Sequence, residues 1–105
     1  MQTQLNKGMR RRVMYIESKG GLIDSVNARI GWVTFSKTGQ TVYYRGRTLQ
    51  KGNGVSANFF DVESGEWYWV SGVKRRGSNA HPAERGISIE VDPDALQEYQ
   101  SLRSA

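Results

Sequence analysis

Residues 28–49 read ARIGWVTFSKTGQTVYYRGRTL, a stretch in which apolar and aromatic residues recur at every second position. This period of two is typical of β-strands, whose side chains point alternately to opposite faces of a sheet. In residues 28–36, Ile30, Trp32 and Thr34 fall on one face, and further apolar side chains lie on the other. Because both faces are partly apolar, the pattern indicates a closed or strongly curved sheet.

A short loop with a glycine divides this stretch into two strands. Residues 37–40 form the loop, in which Gly39 supplies the left-handed conformation that closes a type I turn and bulge. Residues 41–49 are the predicted return strand, and we interpret Gly46 as a bend within it. Residues 51–54, with two glycines, are predicted to be a mobile loop.

The same alternation appears in four more segments, each bounded by residues that favour turns. These predicted strands are residues 12–18, 56–62, 66–71 and 87–91. A glycine-containing turn joins residues 56–62 to residues 66–71, which predicts a second hairpin. We therefore predict a mainly all-β fold: a small curved antiparallel sheet or open barrel of five or six strands with one C-terminal helix.

The predicted helix occupies residues 93–102. Asp92 is suited to cap its first turn and Pro93 to its first helical position. Four apolar residues recur at helical spacing and are expected to pack on the sheet: Ala95, Leu96, Tyr99 and Leu102. Residues 1–8 are predicted to be a disordered lead, and residues 9–105 a single small β domain. A long polar loop is predicted at residues 72–86.

Charge is distributed unevenly along the 105 residues, whose formal net charge is +5. Residues 1–60 carry ten basic and two acidic residues, whereas residues 61–105 carry five basic and eight acidic residues. A strongly basic segment is suited to attract nucleic-acid phosphates or an acidic protein. The alternative is that these charges only keep the surface solvated.

The chain has no cysteine and no long apolar stretch, including at its N-terminus. Disulfide bonds are therefore excluded, and the composition is typical of a cytoplasmic protein without a signal peptide or membrane span. This location is an expectation from composition.

No pattern typical of a catalytic, cofactor or metal site is present. His81 is the single histidine, and a histidine in a polar loop without a partner ligand is usually only solvated. Asp61, Glu63 and Glu66 flank a hairpin turn, where carboxylates commonly face water. Residues 52–57 match a loose dinucleotide-binding glycine pattern, but a strand rather than a helix follows them.

Five segments together carry a resemblance to a known family: VMYIE at 13–17, ARIGWVTFSKTG at 28–39, YYRGR at 43–47, FDVESGE at 60–66 and WYWVSG at 67–72. The chain resembles a family of short uncharacterised bacterial proteins that often carry the label 1-deoxy-D-xylulose-5-phosphate synthase. We interpret that label as a misannotation, because such a synthase binds thiamine diphosphate through magnesium between large α/β domains. The resemblance implies no catalytic residues, and we predict a non-enzyme without a cofactor.

A basic and aromatic strip is the strongest candidate for a binding surface. Strict alternation along residues 41–49 places Tyr43, Arg45 and Arg47 on one face. A tyrosine ring can stack on a base, and guanidinium groups bind phosphate or carboxylate. Further basic residues extend the predicted site: Lys37, Lys51, Arg10, Arg11, Arg12, Lys74, Arg75 and Arg76. The alternative is that the tyrosine packs at the core edge and the arginines pair with acidic residues.

These observations favour a non-catalytic binding module for nucleic acid, either RNA or single-stranded DNA. The alternative function is a protein-binding adaptor that uses an aromatic face or a free strand edge. Trp67 and Trp69 fall on one face of the strand at residues 66–71 and supply the aromatic face for that alternative. These two residues and Trp32, however, more often pack in the core of so small a domain.

Overall fold

The computed structural model describes residues 8–76 and 86–104, which contain seven β-strands and one α-helix. The strands in chain order are β1 (Arg10–Ser18), β2 (Ala28–Phe35), β3 (Thr41–Tyr44), β4 (Arg47–Gly54), β5 (Ala57–Asp61), β6 (Trp67–Gly72) and β7 (Ile89–Val91). A single 3-10 turn, Pro93–Ala95, leads directly into helix α1 (Leu96–Ser104). The predicted class, a mainly β fold with one C-terminal helix, is confirmed.

Strands β1 to β6 form a closed ring, since each is hydrogen-bonded to a neighbour on both sides. The order around the ring is β1-β6-β5-β4-β3-β2, and the antiparallel pairing of β1 with β2 closes it. The ring therefore leaves little strand edge open to another chain. Strand β7 runs parallel to the first part of β2, on the edge that β3 occupies further along.

Both predicted hairpins are present, although their paired segments are short. Strand β2 pairs with β3 through Thr34 opposite Tyr43 and Phe35 opposite Val42. Strand β5 pairs with β6 through only two residue pairs. The glycines predicted to close the two loops, Gly39 among them, do adopt positive φ.

Two sequence expectations about residues 41–54 are wrong. The predicted strand at residues 41–49 is interrupted by a two-residue turn, Arg45 and Gly46, which have φ of +45° and +78°. Gly46 is therefore a hairpin turn residue and not a bend within one strand. The predicted loop at residues 51–54 belongs to β4, because the chain turns back only after Gly54.

The interior of the ring is an apolar core built from alternate residues of six strands and one loop residue, Ile23. Its members are Met14, Ile16, Ile23, Val33, Val42, Tyr44, Leu49, Phe59, Tyr68 and Val70. The strands surround these side chains on all sides, so water is excluded from the core. Tyr68 and Val70 therefore show which face of β6 is core, and Trp67 and Trp69 lie on the outer face.

A second apolar cluster lies outside the ring, between β1, β2 and the C-terminal segment. Its buried members are Val13, Tyr15, Ala28, Ile30 and Ala95, against which Trp32, Trp69 and Tyr99 pack. Ala95 and Tyr99 thus make the contacts predicted for the helix. Leu96 does not, because its side chain remains 45% exposed.

Some predictions fall on residues that the structure does not describe. Residues 1–7, most of the predicted disordered lead, and residues 77–85, which include His81, lie outside the described residues. Strand β1 begins two residues earlier than predicted and β7 is shorter than predicted.

Within residues 8–76 and 86–104, no helix is long and apolar enough to cross a membrane.

Candidate functional site

The side chain of Asp92 projects from the end of β7 into the ring, next to Gly31 of β2. The Asp92 N–H donates to the Ile30 carbonyl at 2.8 Å, which extends the pairing of β7 with β2. A Cβ atom on Gly31 would lie 2.2 Å from Asp92 Oδ2, so only glycine leaves room for the carboxylate. The predicted capping role of Asp92 is wrong, because its side chain makes no cap hydrogen bond and is directed inward instead.

Three side chains compensate the buried Asp92 carboxylate. Arg29 Nη1 and Arg45 Nη1 each lie 3.2 Å from Asp92 Oδ1. The Tyr44 hydroxyl donates a hydrogen bond to Asp92 Oδ2. Burial is the main cause that raises the pKa of Tyr44 well above its ordinary value, and the hydrogen bond to the Asp92 carboxylate raises it further. The phenol therefore keeps its proton.

A second carboxylate, Asp24 in the loop after β1, holds the other side of this arginine cluster. Asp24 Oδ1 lies 2.8 Å from Arg47 Nη2, and Asp24 Oδ2 lies 3.3 Å from Arg47 Nη1 and from Arg45 Nε. The hydrogen bonds from Arg47 lower the pKa of Asp24, and the nearby charge of Arg45 adds to this effect. Arg45 and Arg47 therefore form ion pairs with Asp24, and Arg45 also with Asp92.

The structure does not bring Tyr43, Arg45 and Arg47 onto one strand face. Tyr43 lies on the outer face of β3 opposite Thr48, and its side chain is 41% exposed. Arg47 lies opposite Tyr44, on the inner face. The predicted alternation fails because the turn at Arg45 and Gly46 ends one strand and starts the next.

A different group of basic residues lies together where β1 begins and β6 ends. The antiparallel pairing of Met14 with Gly72 directs the residues before Met14 and those after Gly72 to the same end of the sheet. We call this group the basic end, and its members are Arg10, Arg11, Arg12, Lys74, Arg75 and Arg76. All six are exposed. The structure thus combines residues 74–76 of the predicted site with residues 10–12.

The basic end is weakly neutralised. In the two described ranges, no acidic side chain forms an ion pair with Arg10, Arg12, Arg75 or Arg76. The Arg10 guanidinium lies 5.6 Å from the centre of the Phe35 ring, a cation–π contact that leaves its hydrogen-bond donors available. The chain after β6 is anchored by Arg103 of α1, whose Nη1 donates to the Lys74 carbonyl at 2.9 Å.

Arg11 and Trp32 connect the basic end to two cavities. The Arg11 guanidinium lies 4.8 Å from the centre of the Trp32 ring, and both residues line each cavity. The larger, which we call the Trp32 cavity, has a volume of about 480 Å³ and continues to Tyr44, Arg45, Asp92, Pro93 and Asp94. The smaller has a volume of about 230 Å³ and lies between β1 and α1, beside Arg12 and Val73.

Trp32 is the residue that sequence reasoning missed as a site candidate, because its alternation predicted only a packed face. Its Nε1 donates to the Asp94 carbonyl at 3.0 Å, and its body packs against the outer cluster. The Arg11 contact depends on the register of β1 against β2, in which Val13 pairs with Trp32. The sequence of either strand alone does not predict this register.

A third cavity, of about 470 Å³, lies at the opposite end of β1. It is lined by Lys19, Gly20, Val55, Glu66 and Trp67. Val55 is 94% exposed at the turn between β4 and β5, and Trp67 is 38% exposed. Of the three cavities, this one exposes the most apolar surface.

Among the described residues, no group of three or more His, Cys, Asp or Glu side chains could hold a metal ion.

No family model, curated protein or solved structure matches this chain.

Proposed function

We propose that this protein is a non-catalytic module that binds nucleic acid, RNA or single-stranded DNA, through the basic end. The supporting observation is that two basic tripeptides, 60 or more residues apart in sequence, follow strand ends that the pairing of Met14 with Gly72 brings to the same end of the sheet. Five of their guanidinium groups, those of Arg10, Arg11, Arg12, Arg75 and Arg76, have no acidic partner in the described ranges. Guanidinium groups in this state offer paired N–H donors to phosphate oxygens.

The ion pairs elsewhere explain why the basic end is preferred over the strip predicted from sequence. Arg45 and Arg47 already bind Asp24 and Asp92, so a phosphate would have to compete with these carboxylates. Arg45 nevertheless lines the Trp32 cavity next to the basic end. Its contact with a ligand stays a prediction, as does that of Tyr43.

The test is to neutralise one arginine from each tripeptide. Arg12→Gln together with Arg75→Gln is expected to weaken binding to a short single-stranded DNA and to reduce the steepness of log affinity against log salt by about 1.4, as about 0.7 is lost for each phosphate contact. Fluorescence anisotropy of a labelled strand at several salt concentrations measures both quantities. The exposed positions of both arginines make loss of folding unexpected.

A matched control has the same change in net charge at a distance from the basic end. Val55→Glu together with Val62→Glu adds two negative charges at exposed turns, and is expected to reduce affinity much less. If both double variants weaken binding equally, only the overall charge matters and the basic end is not the site. Absence of salt-dependent binding by the unaltered protein to any nucleic acid would overturn the proposal.

The second candidate function is a protein-binding adaptor, and the exposed Val55 and Trp67 beside the third cavity favour it. The form of this idea that needs a free strand edge has little support, since β1 to β6 pair on both sides among the described residues. An apolar contact at this cavity would be insensitive to salt. Trp67→Ala would abolish such binding and leave nucleic-acid affinity unchanged.

A further inference from the structure

We infer that the Trp32 cavity holds one unpaired base of the bound strand, so that the protein prefers single-stranded to duplex nucleic acid. This inference rests on the proposed function, because the basic end would bring the strand to the cavity. Arg11 belongs to both, since it is a member of the basic end and lines the cavity. A strand whose phosphates lie along the basic end therefore passes the cavity entrance.

Trp32 is already oriented as a stacking surface. One edge of its indole is fixed by the bond from Nε1 to the Asp94 carbonyl, and its body packs against the outer apolar cluster. A ring held in this way loses little side-chain entropy when a ligand binds. The Arg11 guanidinium lies over the same ring, so the bound base would stack on the guanidinium or displace it from the indole, and guanidinium groups stack on bases as aromatic rings do.

The charges of the cavity suit a neutral aromatic group better than a phosphate. Arg11 and Arg45 line it together with two acidic residues, Asp92 and Asp94, so its formal charges balance. The Asp92 carboxylate is occupied by Arg29, Arg45 and Tyr44, and it would repel an additional anion close by. The volume of about 480 Å³ lies within the range of small-molecule sites.

A duplex cannot fill this cavity without disruption, because its bases are paired and stacked between their neighbours. Extruding one base from a duplex breaks its pairing and its stacking, whereas a single strand offers unstacked bases at little cost. The same phosphates would still contact the basic end in both cases. The cavity therefore accounts for the difference in affinity between single and double strands, and the basic end for what they share.

The deciding experiment compares three DNA ligands of equal length by fluorescence anisotropy: a single strand, the same strand with abasic sites at its centre, and a duplex. The unaltered protein is expected to bind the intact strand about tenfold more tightly than the abasic strand, because only the intact strand gains the affinity that stacking of one base provides. Trp32→Phe is expected to narrow that ratio and leave affinity for the abasic strand unchanged. Trp67→Phe, a matched substitution outside the cavity, should keep the ratio.

Each outcome separates this inference from the proposed function. Equal, salt-dependent affinity for the intact and abasic strands would overturn the inference and leave the proposed function standing. No salt-dependent affinity for any ligand would overturn both. If Trp32→Phe fails to fold, the comparison of intact and abasic strands on the unaltered protein decides by itself. A ratio that Trp67→Phe removes and Trp32→Phe keeps would place the base at the third cavity and contradict the inference.

Discussion

Asp24 is the residue that determines what Arg45 and Arg47 do. Both guanidinium groups lie within 3.3 Å of its carboxylate, and Arg45 also contacts Asp92. The Asp24 side chain is partly exposed, so each pair contributes modestly to the free energy of unfolding, by about 1 kcal/mol or less. Replacing the two arginines with glutamate would place four carboxylates together and is expected to destabilise the fold.

The pKa of Asp24 makes this ion pair visible in the pH dependence of stability. Because the pKa is lowered in the folded state, the stabilisation is complete above the ordinary value of 3.8 and is lost as pH falls through the lowered folded pKa. Asp24→Asn is expected to reduce stability at neutral pH and to flatten the decline in acid. Urea unfolding midpoints measured over a pH series test this.

Glu63→Gln is the control for this experiment, since Glu63 is exposed in the turn after β5. Its removal should leave both the neutral-pH midpoint and the acid decline nearly unchanged. If Asp24→Asn and the unaltered protein show the same acid slope, the Asp24 pairs make no contribution to stability in solution.

Strand β6 is completed by a side chain where its partner strand falls short. Strands β5 and β6 pair through Phe59 with Tyr68 and Phe60 with Trp67 only. Further along, Asn58 Nδ2 donates to the Val70 carbonyl at 2.7 Å, and the Val70 N–H donates to Asn58 Oδ1 at 2.8 Å. The amide of Asn58 therefore takes the place of a backbone peptide group in the sheet.

Asn58→Ala is expected to lower the free energy of unfolding by ~1–3 kcal/mol, because two hydrogen bonds of a half-buried backbone are lost. Asn58→Asp keeps an acceptor for the Val70 N–H but has no donor for the Val70 carbonyl, so it should also destabilise. Asn53→Ala, at an exposed position of β4, is the matched control and should have little effect. Equal midpoints for the Asn58 and Asn53 variants would show that the amide is not part of the sheet energetically.

The elements show how far the sequence alone can predict this fold. Alternation is a local property, so the strands at β1, β2, β5 and β6 and the two glycine loops were predictable. The turn at Arg45 and Gly46 was not, since an arginine rarely adopts a positive φ and the flanking residues continue the alternation. The basic end and the Arg11–Trp32 contact depend on strand register between distant segments, which alternation does not specify.

At the scale of the whole molecule, β1 and β2 are the centre of stability. Each pairs along its length with the other, and their two faces pack against the inner core and the outer cluster. Backbone amides at Tyr15, Ile16 and Ile30 should therefore exchange hydrogen most slowly, and those of β7 and the Val55 turn fastest. Hydrogen exchange followed by mass spectrometry or NMR measures this order. Slower exchange in β4 and β5 than in β1 and β2 would contradict it.

The position of Asp92 inside the ring also has a consequence for how the protein is made. During synthesis, the ring cannot close before β6 has left the ribosome, since β1 pairs with it across more than 50 residues. The ion pairs of Arg29 form later still, because its partners Glu90 and Asp92 are translated after β6. The inner face of the nascent β1–β2 hairpin stays exposed until the ring closes, and its outer face until the C-terminal segment packs on it. Exposed apolar surface of this kind makes a chain prone to aggregation and a target for chaperones. The chain is therefore most vulnerable to aggregation between the emergence of β2 and the docking of β6 and Asp92.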